Sequence, residues 1–383
     1  GKLHVDEVGY ATIDRNRFNS DPISAQAESI TEALRAVQLK GSILVAALPG
    51  QTVVIRYPRL PDVPLHQLDE AVEREAGKNI PYDLEEVYLD WSKLTEIEEN
   101  EERQVKILLV AAKHEVIDSR LEVLDAANVQ PAVLGVDCLA VADAAEACDY
   151  LRVGETVALI NIGHSSASIH FLKDGISNFI RDVSWGAREL LQAIAKDRRV
   201  ELDEAERIFK QADDEARNPA PEPEPIPVPE AAAESAEIPD ASGFGDDPFG
   251  NAGGSLLDPL DDEGASPLGR PASGMGMAEK TVNEVINISL ARMVSEIRRS
   301  FDYYEHQLYE QPVDRIILSG GIANNINLQK TLRNELGIES VEAADPGNSA
   351  LSLGNDAAIM EMKKQPAQFL VATGLAARGM ADL

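Results

Sequence analysis

The stretch Thr156-Val-Ala-Leu-Ile-Asn-Ile-Gly-His-Ser-Ser-Ala-Ser-Ile-His-Phe-Leu172 decides the fold of this 383-residue chain. Its pattern predicts a strand over 156–162, a turn over 163–166 and a second strand over 167–172. A tight turn and a third strand over 176–183 follow. Because strand-rich and helix-rich blocks alternate along the chain, the sequence predicts an α/β fold.

Three glycine-bearing turns are candidate binding loops. In Asn161-Ile-Gly-His-Ser-Ser166 the glycine lets backbone N–H groups approach an anion, and the serine hydroxyls add donors. Ser319-Gly-Gly321 lies between a predicted strand and a helix, whose first N–H groups favour an anion or a flat nucleoside. Trp185-Gly-Ala187 opens another predicted helix. Each turn alone is most simply structural, so their order along the chain carries the argument.

This order resembles that of the actin-like ATPase superfamily. Within it the chain is similar to the PilM family of type IV pilus assembly proteins, and the resemblance covers most of the chain. The FtsA cell-division family shares the architecture, but the block at 75–83 is closer to PilM. The stretches that carry the resemblance are Ala46–Gly50, Leu60-Pro61, Glu75-Ala-Gly-Lys-Asn-Ile-Pro-Tyr-Asp83, Leu108–Lys113 and Val136-Asp137.

The resemblance implies an actin-like fold of two lobes, with a small α+β subdomain inserted in the first, that holds ATP or ADP with Mg²⁺ between the lobes. The second phosphate motif of the family falls on the turn at 161–166 and its adenosine motif on 319–321. The helix opening at Gly186 would flank the base or ribose. The implied nucleotide-binding residues are Asn161, Gly163, Ser165, Ser166, Gly186, Ser319, Gly320 and Gly321.

Two departures from the family pattern bear on catalysis. Asn161 stands where the family has Asp, and a neutral amide is poor at ordering metal and attacking water. The first phosphate motif, Asp-Ile-Gly-Ser/Thr, has no match, and residues 1–13 match only the strand pair expected after it. The sequence therefore predicts a nucleotide-binding scaffold with weak or no ATPase activity. The alternatives are an active ATPase or kinase of this fold, or an FtsA-like division protein.

Charge and composition narrow the function classes. The chain has 35 Lys and Arg against 66 Asp and Glu, a net charge of −31, which disfavours nucleic-acid binding. Proline, glycine and acidic residues concentrate in 211–280, predicted to be a disordered insertion. It is either a passive linker or a carrier of short partner-binding motifs.

The predicted partner is a PilN-like inner-membrane protein. As the resemblance implies, its N-terminal peptide lies in a groove between the inserted subdomain and the first lobe, bordered by the strands around Ala46 and Leu108. The chain would then be cytoplasmic and peripheral to the inner membrane, which it touches only indirectly. Self-association is left open.

The predicted organisation places two helices on one face of an antiparallel sheet in the inserted subdomain, with 42–47 and 53–60 as paired strands. The segments are first-lobe strands over 1–40, the inserted α+β subdomain over 41–131, an inter-lobe linker helix over 132–155, the second lobe over 156–210, the disordered insertion over 211–280, the second lobe again over 281–363, and a C-terminal helix returning to the first lobe over 364–383.

Overall fold

The computed structural model describes residues 3–99, 102–218, 280–354 and 357–381. Most of the predicted disordered insertion lies outside these ranges. Within them, none of the helices combines the length and the apolar composition that crossing a bilayer requires.

The described strands and helices alternate along the chain. The strands are β1 (His4–Val5), β2 (Val45–Leu48), β3 (Val53–Arg56), β4 (Arg59–Pro61), β5 (Val87–Glu99), β6 (Glu102–Lys113), β7 (Val133–Val136), β8 (Thr156–Ile162), β9 (Ala167–Lys173), β10 (Ile176–Val183), β11 (Arg315–Gly320), β12 (Ser340–Ala343) and β13 (Ser352–Leu353). The helices are α1 (Arg15–Ser20), α2 (Pro22–Leu34), α3 (Leu65–Asn79), α4 (His114–Ala126), α5 (Asp137–Ala147), α6 (Ala187–Arg198), α7 (Leu202–Arg217), α8 (Val282–Asp302), α9 (Ile326–Leu336), α10 (Ala357–Lys364) and α11 (Leu370–Ala381).

The central five-stranded sheet has the order β10-β9-β8-β11-β12, and we call it with α6 to α9 the second lobe. Strands β8, β11 and β12 are parallel, whereas β8, β9 and β10 form an antiparallel meander. One face packs Ile160 and Phe171 against α6 to α9. The opposite face packs Leu159 against α5 and α11. The predicted strands 156–162 and 176–183 are confirmed.

The inserted subdomain, β3 to β6 with α3, has its own core. Strand β6 lies at the centre of its sheet, with β5 on one side and β3 and β4 on the other. Leu68 and Val72 of α3 pack on Ile107 and Leu109 of β6, all at most 2% exposed. Apolar residues recur every three or four positions along α3 and every second position along β6, so each element turns one apolar face towards the other. The predicted helix is confirmed.

Two details predicted for the inserted subdomain are wrong. Strand β2 pairs in parallel with β7, not with β3. Pro49 and a 3₁₀ turn at Gly50–Thr52 separate the two strands, so that only β3 enters the sheet of the inserted subdomain. Helix α4 packs mainly against α2 rather than beside α3 on the subdomain sheet. Hydrophobic periodicity shows that a helix buries one face but does not identify the surface that covers it.

The opening segment, predicted as strands over 1–40, is mostly helical. Its described part has only the short strand β1, which pairs in parallel with β13, followed by α1 and α2. The side chain of Asp14 accepts a hydrogen bond from Arg17 N, and that of Asp21 accepts one from Ser24 N. These N-caps, with Pro22 at the first position of α2, are the local signals that start the two helices.

The insertion begins later than predicted, because α7 continues through 211–217 as a folded helix. Ala212 is 5% exposed and packs in the core of the second lobe. The carboxylate of Asp213 accepts hydrogen bonds from Asn325 Nδ2 (2.9 Å) and Ile326 N (3.1 Å), which ties the end of α7 to the start of α9. The other predicted segment boundaries stay predictions.

A buried polar chain joins the inserted subdomain to the second lobe. Tyr57 Oη lies 2.7 Å from Ser177 Oγ, which lies 2.7 Å from His170 Nε2. His170 Nδ1 lies 3.2 Å from the carbonyl of Cys138, which can only accept. Burial lowers the pKa of His170 to about 4, so the ring is neutral and donates through Nδ1. The order of donation is therefore Tyr57 to Ser177 to His170 to Cys138.

We expect His170 to make the protein acid-sensitive. Its pKa is below the ordinary 6.5, so the unfolded chain takes up the proton first, and stability falls as the pH drops from about 6.5 to 4. The loss is up to about 3 kcal/mol. His170→Gln should be less stable than wild type at pH 7 but close this gap by pH 4.5, measured by urea unfolding. A gap independent of pH would contradict the assignment, and exposed His66→Gln should show none.

Candidate functional site

The parallel pairing of β8 with β11 brings the first two glycine turns together. Gly320 lies opposite Ile162, the residue directly before Gly163. Both strands end at the same edge of the sheet. Gly320 has φ +98°, and a Cβ there would lie 2.0 Å from the carbonyl oxygen of Ile162. Only glycine allows this approach, so the two turns form one corner.

The third turn packs against the first. A Cβ at Gly186 would lie 2.5 Å from the oxygen of His164 and 2.7 Å from Ser165 N. The first N–H groups of α6 are already used, since Ala187 N donates to Gly163 O (3.0 Å) and Arg188 N to His164 O (2.9 Å). The start of α6 thus holds the turn in place rather than offering free donors to an anion. All eight predicted site residues gather at this glycine corner, formed by 161–166, Gly186 and 319–321.

The open side of the corner is formed by Ser165 and Gly321, both exposed. Among the described residues the Ser165 hydroxyl has no hydrogen-bond partner, so it is available to a ligand. A Cβ at Gly321 would meet only Gln368 Nε2, at 3.6 Å. Asn161 and Ser319 are less available, because the Ser319 hydroxyl donates to Asn161 Oδ1 (2.9 Å).

A row of polar side chains crosses the sheet beside the corner. The strand registers align Asp182, Ser168, Asn161 and Ser319 on β10, β9, β8 and β11. Neighbours in such a row are about 5 Å apart and point to one face, here the face covered by α5. Asp182 is a site candidate that the sequence did not indicate, because its place in one row with Asn161 follows from strand pairing, not from spacing along the chain.

A second carboxylate, that of Asp137, lies close to Asp182 of this row. Asp137 at the start of α5 accepts hydrogen bonds from Gly50 N (2.7 Å) and Cys138 N (2.6 Å). A Cβ at Gly50 would lie 3.1 Å from Asp137 Oδ1 and 3.2 Å from Asp182 Oδ1. Burial raises the pKa of Asp137, and burial together with the Asp137 charge raises that of Asp182 to about 6. Glycine at 50 leaves room for both.

Arg120 of α4 adds a positive charge near this pair. Its Nε is buried without a hydrogen-bond partner in the described part of the chain. Burial lowers the pKa of the guanidinium, whereas the charge of Asp137 raises it. No group of three or more metal-binding side chains occurs in the described ranges.

These features define the class of the protein. A mixed sheet that ends in paired glycine turns, in one lobe of a chain whose other lobe carries an inserted sheet, is the actin-like ATPase fold. The family model of the type IV pilus assembly protein PilM matches residues 1–218 and 273–380. The chain belongs to this family.

One solved structure supports this fold, and more distant similarities are found to others. A PilM–PilN type IV pilus biogenesis complex is similar over 94% of this chain and 86% of the other, with 23% identity and a TM-score of 0.66. MreB 5 of Spiroplasma citri bound to AMPPNP is more distant, with 13% identity over 92% of this chain and 73% of the other and a TM-score of 0.40. The ethanolamine utilization protein EutJ from Carboxydothermus hydrogenoformans has 13% identity over 68% and 60% and a TM-score of 0.37.

The close approach at Gly320 predicts a large effect of one methyl group. Gly320→Ala should lower the free energy of unfolding by several kcal/mol, because backbone strain adds to a clash with the Ile162 carbonyl. Gly337→Ala is the matched control: Gly337 has φ +70° but nothing within 4 Å of an added Cβ, so only strain of about 1–2 kcal/mol is expected. Equal losses in urea unfolding would refute the close approach.

Proposed function

We propose that this protein is an actin-like adaptor of type IV pilus, or related secretion-system, assembly that binds ATP or ADP at the glycine corner. The observation that carries the proposal is the meeting of all three glycine turns at one edge of the sheet, with Asp182 in the polar row beside them and Asp137 close to Asp182. The phosphates would lie at the turn 163–166, beside the free hydroxyl of Ser165. The nucleoside would lie against Gly321, where the surface is open.

The residues around the corner fit a magnesium–nucleotide complex by their donor chemistry. Mg²⁺ is usually held by one or two carboxylates together with the phosphates of the nucleotide. Asp182 lies in the polar row next to the phosphate turn, and Asp137 is close to Asp182. Burial raises the pKa of both carboxyls, and the Asp137 charge also raises that of Asp182, so a bound cation would offset the cost of burying these charges. A bound Mg²⁺ would neutralise the charge of the phosphates, and the carboxylates of Asp182 and Asp137 would hold the metal in place.

Turnover is proposed to be weak, because the amide of Asn161 cannot take a proton and is hydrogen-bonded to Ser319. One observation favours the alternative of an active ATPase. A carboxylate with a pKa of about 6, such as Asp182, is suited to act as a base near neutral pH. A phosphate-release assay separates the two, since robust turnover that is lost in Asp182→Asn would make the protein an enzyme.

The proposed peptide groove is a cavity of about 260 Å³ between the inserted subdomain, α5 and the second lobe. Leu108 lies in its wall as the sequence analysis proposed, but Ala46 does not, because β2 pairs with β7 and packs against α11. Leu139 and Ala142 of α5 add apolar surface, and the Asp143–Arg378 ion pair (2.8 Å) lies at the edge.

We assign this cavity to the N-terminal peptide of a PilN-like inner-membrane protein. The similar solved structure is a PilM–PilN complex, which supports a partner of this type. In this proposal the adaptor is cytoplasmic and reaches the inner membrane only through that partner. Nothing in the arrangement calls for nucleic acid.

Nucleotide binding is tested by filling the open side of the corner. Gly321→Trp should fold normally, because residue 321 is exposed and an added Cβ there meets only the end of Gln368, yet it should abolish ATP binding in calorimetry. Unchanged thermal unfolding of the variant is the control. Wild-type affinity in this variant would place the nucleoside elsewhere.

Peptide binding is tested by a charge in the groove. Ala142→Asp on α5 and Leu108→Asp on β6 should each weaken binding of a PilN-like peptide at least tenfold, because burying an unpaired charge costs more than about 1.4 kcal/mol. Arg74→Asp, exposed on the outer side of the subdomain, is the control and should bind normally. Calorimetry with an unchanged affinity in both groove variants would rule out this cavity.

A further inference from the structure

We propose that residues Tyr10–Arg15 form a strap across the glycine corner, and that the ion pairs of Arg15 with α7 clasp it and slow nucleotide release. The inference concerns regulation of the proposed nucleotide site and rests on that proposal. It starts from an N-terminal segment whose two ends contact Phe369 and helix α7, which lie near different glycine turns of the corner.

One end of the strap lies on the side of Gly321. The ring of Tyr10 contacts that of Phe369, with centroids 6.1 Å apart. The neighbouring side chain of Gln368 is the atom group nearest to Gly321. In between, the carbonyl of Thr12 accepts a hydrogen bond from Ser29 Oγ (3.2 Å), which holds the strap on α2.

The other end lies on the side of the phosphate-type turn. The Arg15 guanidinium donates to Asp203 Oδ1 (2.5 Å) and Glu206 Oε2 (2.6 Å) in the first turns of α7. The Arg15 charge also acts on the turn itself. Burial first, and then this charge, lower the pKa of His164. Arg15 therefore joins the N-terminal segment to the second lobe beside the corner.

The strap is long enough for this course, since five residue steps reach at most about 16–18 Å and neighbouring strands of a sheet lie only about 5 Å apart. The strap is held at Arg15 by exposed groups, since the side chains of Arg15 and Asp203 are 36% and 81% exposed. Exposed ion pairs are individually weak, so the clasp can open in normal thermal motion.

The test measures how fast ATP leaves the full-length protein. Radiolabelled ATP is bound, diluted into excess unlabelled ATP and followed by filter retention. Arg15→Gln should raise the release rate about 3- to 10-fold, the range expected for losing two exposed ion pairs. The difference should shrink at 1 M NaCl, where screening weakens the wild-type clasp.

Three further variants separate the clasp from a general loss of charge. Arg17→Gln removes the same charge two residues away, where Arg17 pairs with Glu28 (2.6 Å), and should release ATP at the wild-type rate. Arg15→Asp should speed release, and the pair Arg15→Asp with Asp203→Arg should restore much of the slow release.

The outcomes also distinguish failure of the clasp from failure of the proposed nucleotide site. If wild type binds ATP but Arg15→Gln and Arg17→Gln release it at the same rate as wild type, the clasp is refuted and the nucleotide site stands. If wild type binds no ATP at millimolar concentration, the nucleotide site itself is refuted, and the clasp with it.

Discussion

The register between β8 and β11 brings together two of the three glycine turns of the candidate site. It is held at the far end of the strands, where Thr156 N donates to Asp314 Oδ2 (2.8 Å) and Asp314 N donates to Thr156 O (2.9 Å). Next to them the guanidinium of Arg315, on a residue only 6% exposed, pairs with Glu155 and Glu342 (2.8 Å each). A slip of one residue would leave the buried Thr156 and Arg315 without these partners and would move Gly320 away from Ile162. The same register therefore sets both the corner and the ion pairs at the far end of the strands.

The inserted subdomain is tied to the same sheet by polar rather than apolar contacts. Beside the Tyr57–Ser177–His170 chain, Lys106 donates to the side chain of Asn178, which in turn donates to Tyr304 (2.9 Å). Burial lowers the pKa of Lys106. Buried hydrogen bonds are directional and costly to leave unmade, so this interface has one preferred geometry. His170 and Ser177 of this hydrogen-bond chain also line the proposed peptide cavity, so a peptide there would contact both the inserted subdomain and the second lobe.

Local patterns predicted the second lobe well because its signals are short-range. The strand–turn–strand at 156–172 and the helix opening at Gly186 depend on alternation and on glycine within a few residues. The wrong predictions concern elements whose apolar face is covered by, or whose strand edge pairs with, a segment distant along the chain. Helix α4 has an ordinary apolar stripe, yet α2 covers it, and β2 is as strand-like as β3 but pairs in another sheet. The acidic composition of 211–217 suggested disorder, whereas Ala205, Phe209 and Ala212 bury one face of α7.

The sequence by itself determined which residues could form glycine turns and, through the resemblance they carry, the actin-like class and the PilM family. Only the tertiary structure decided that these turns meet, because strand pairing joins residues that lie far apart along the chain. It also decided what each glycine does. Gly320 and Gly186 allow backbones to touch, whereas Gly321 leaves open space. Asp182 joined the candidate site for the same reason, because the strand pairing that brings it close to Asp137 is not encoded by any spacing along the chain.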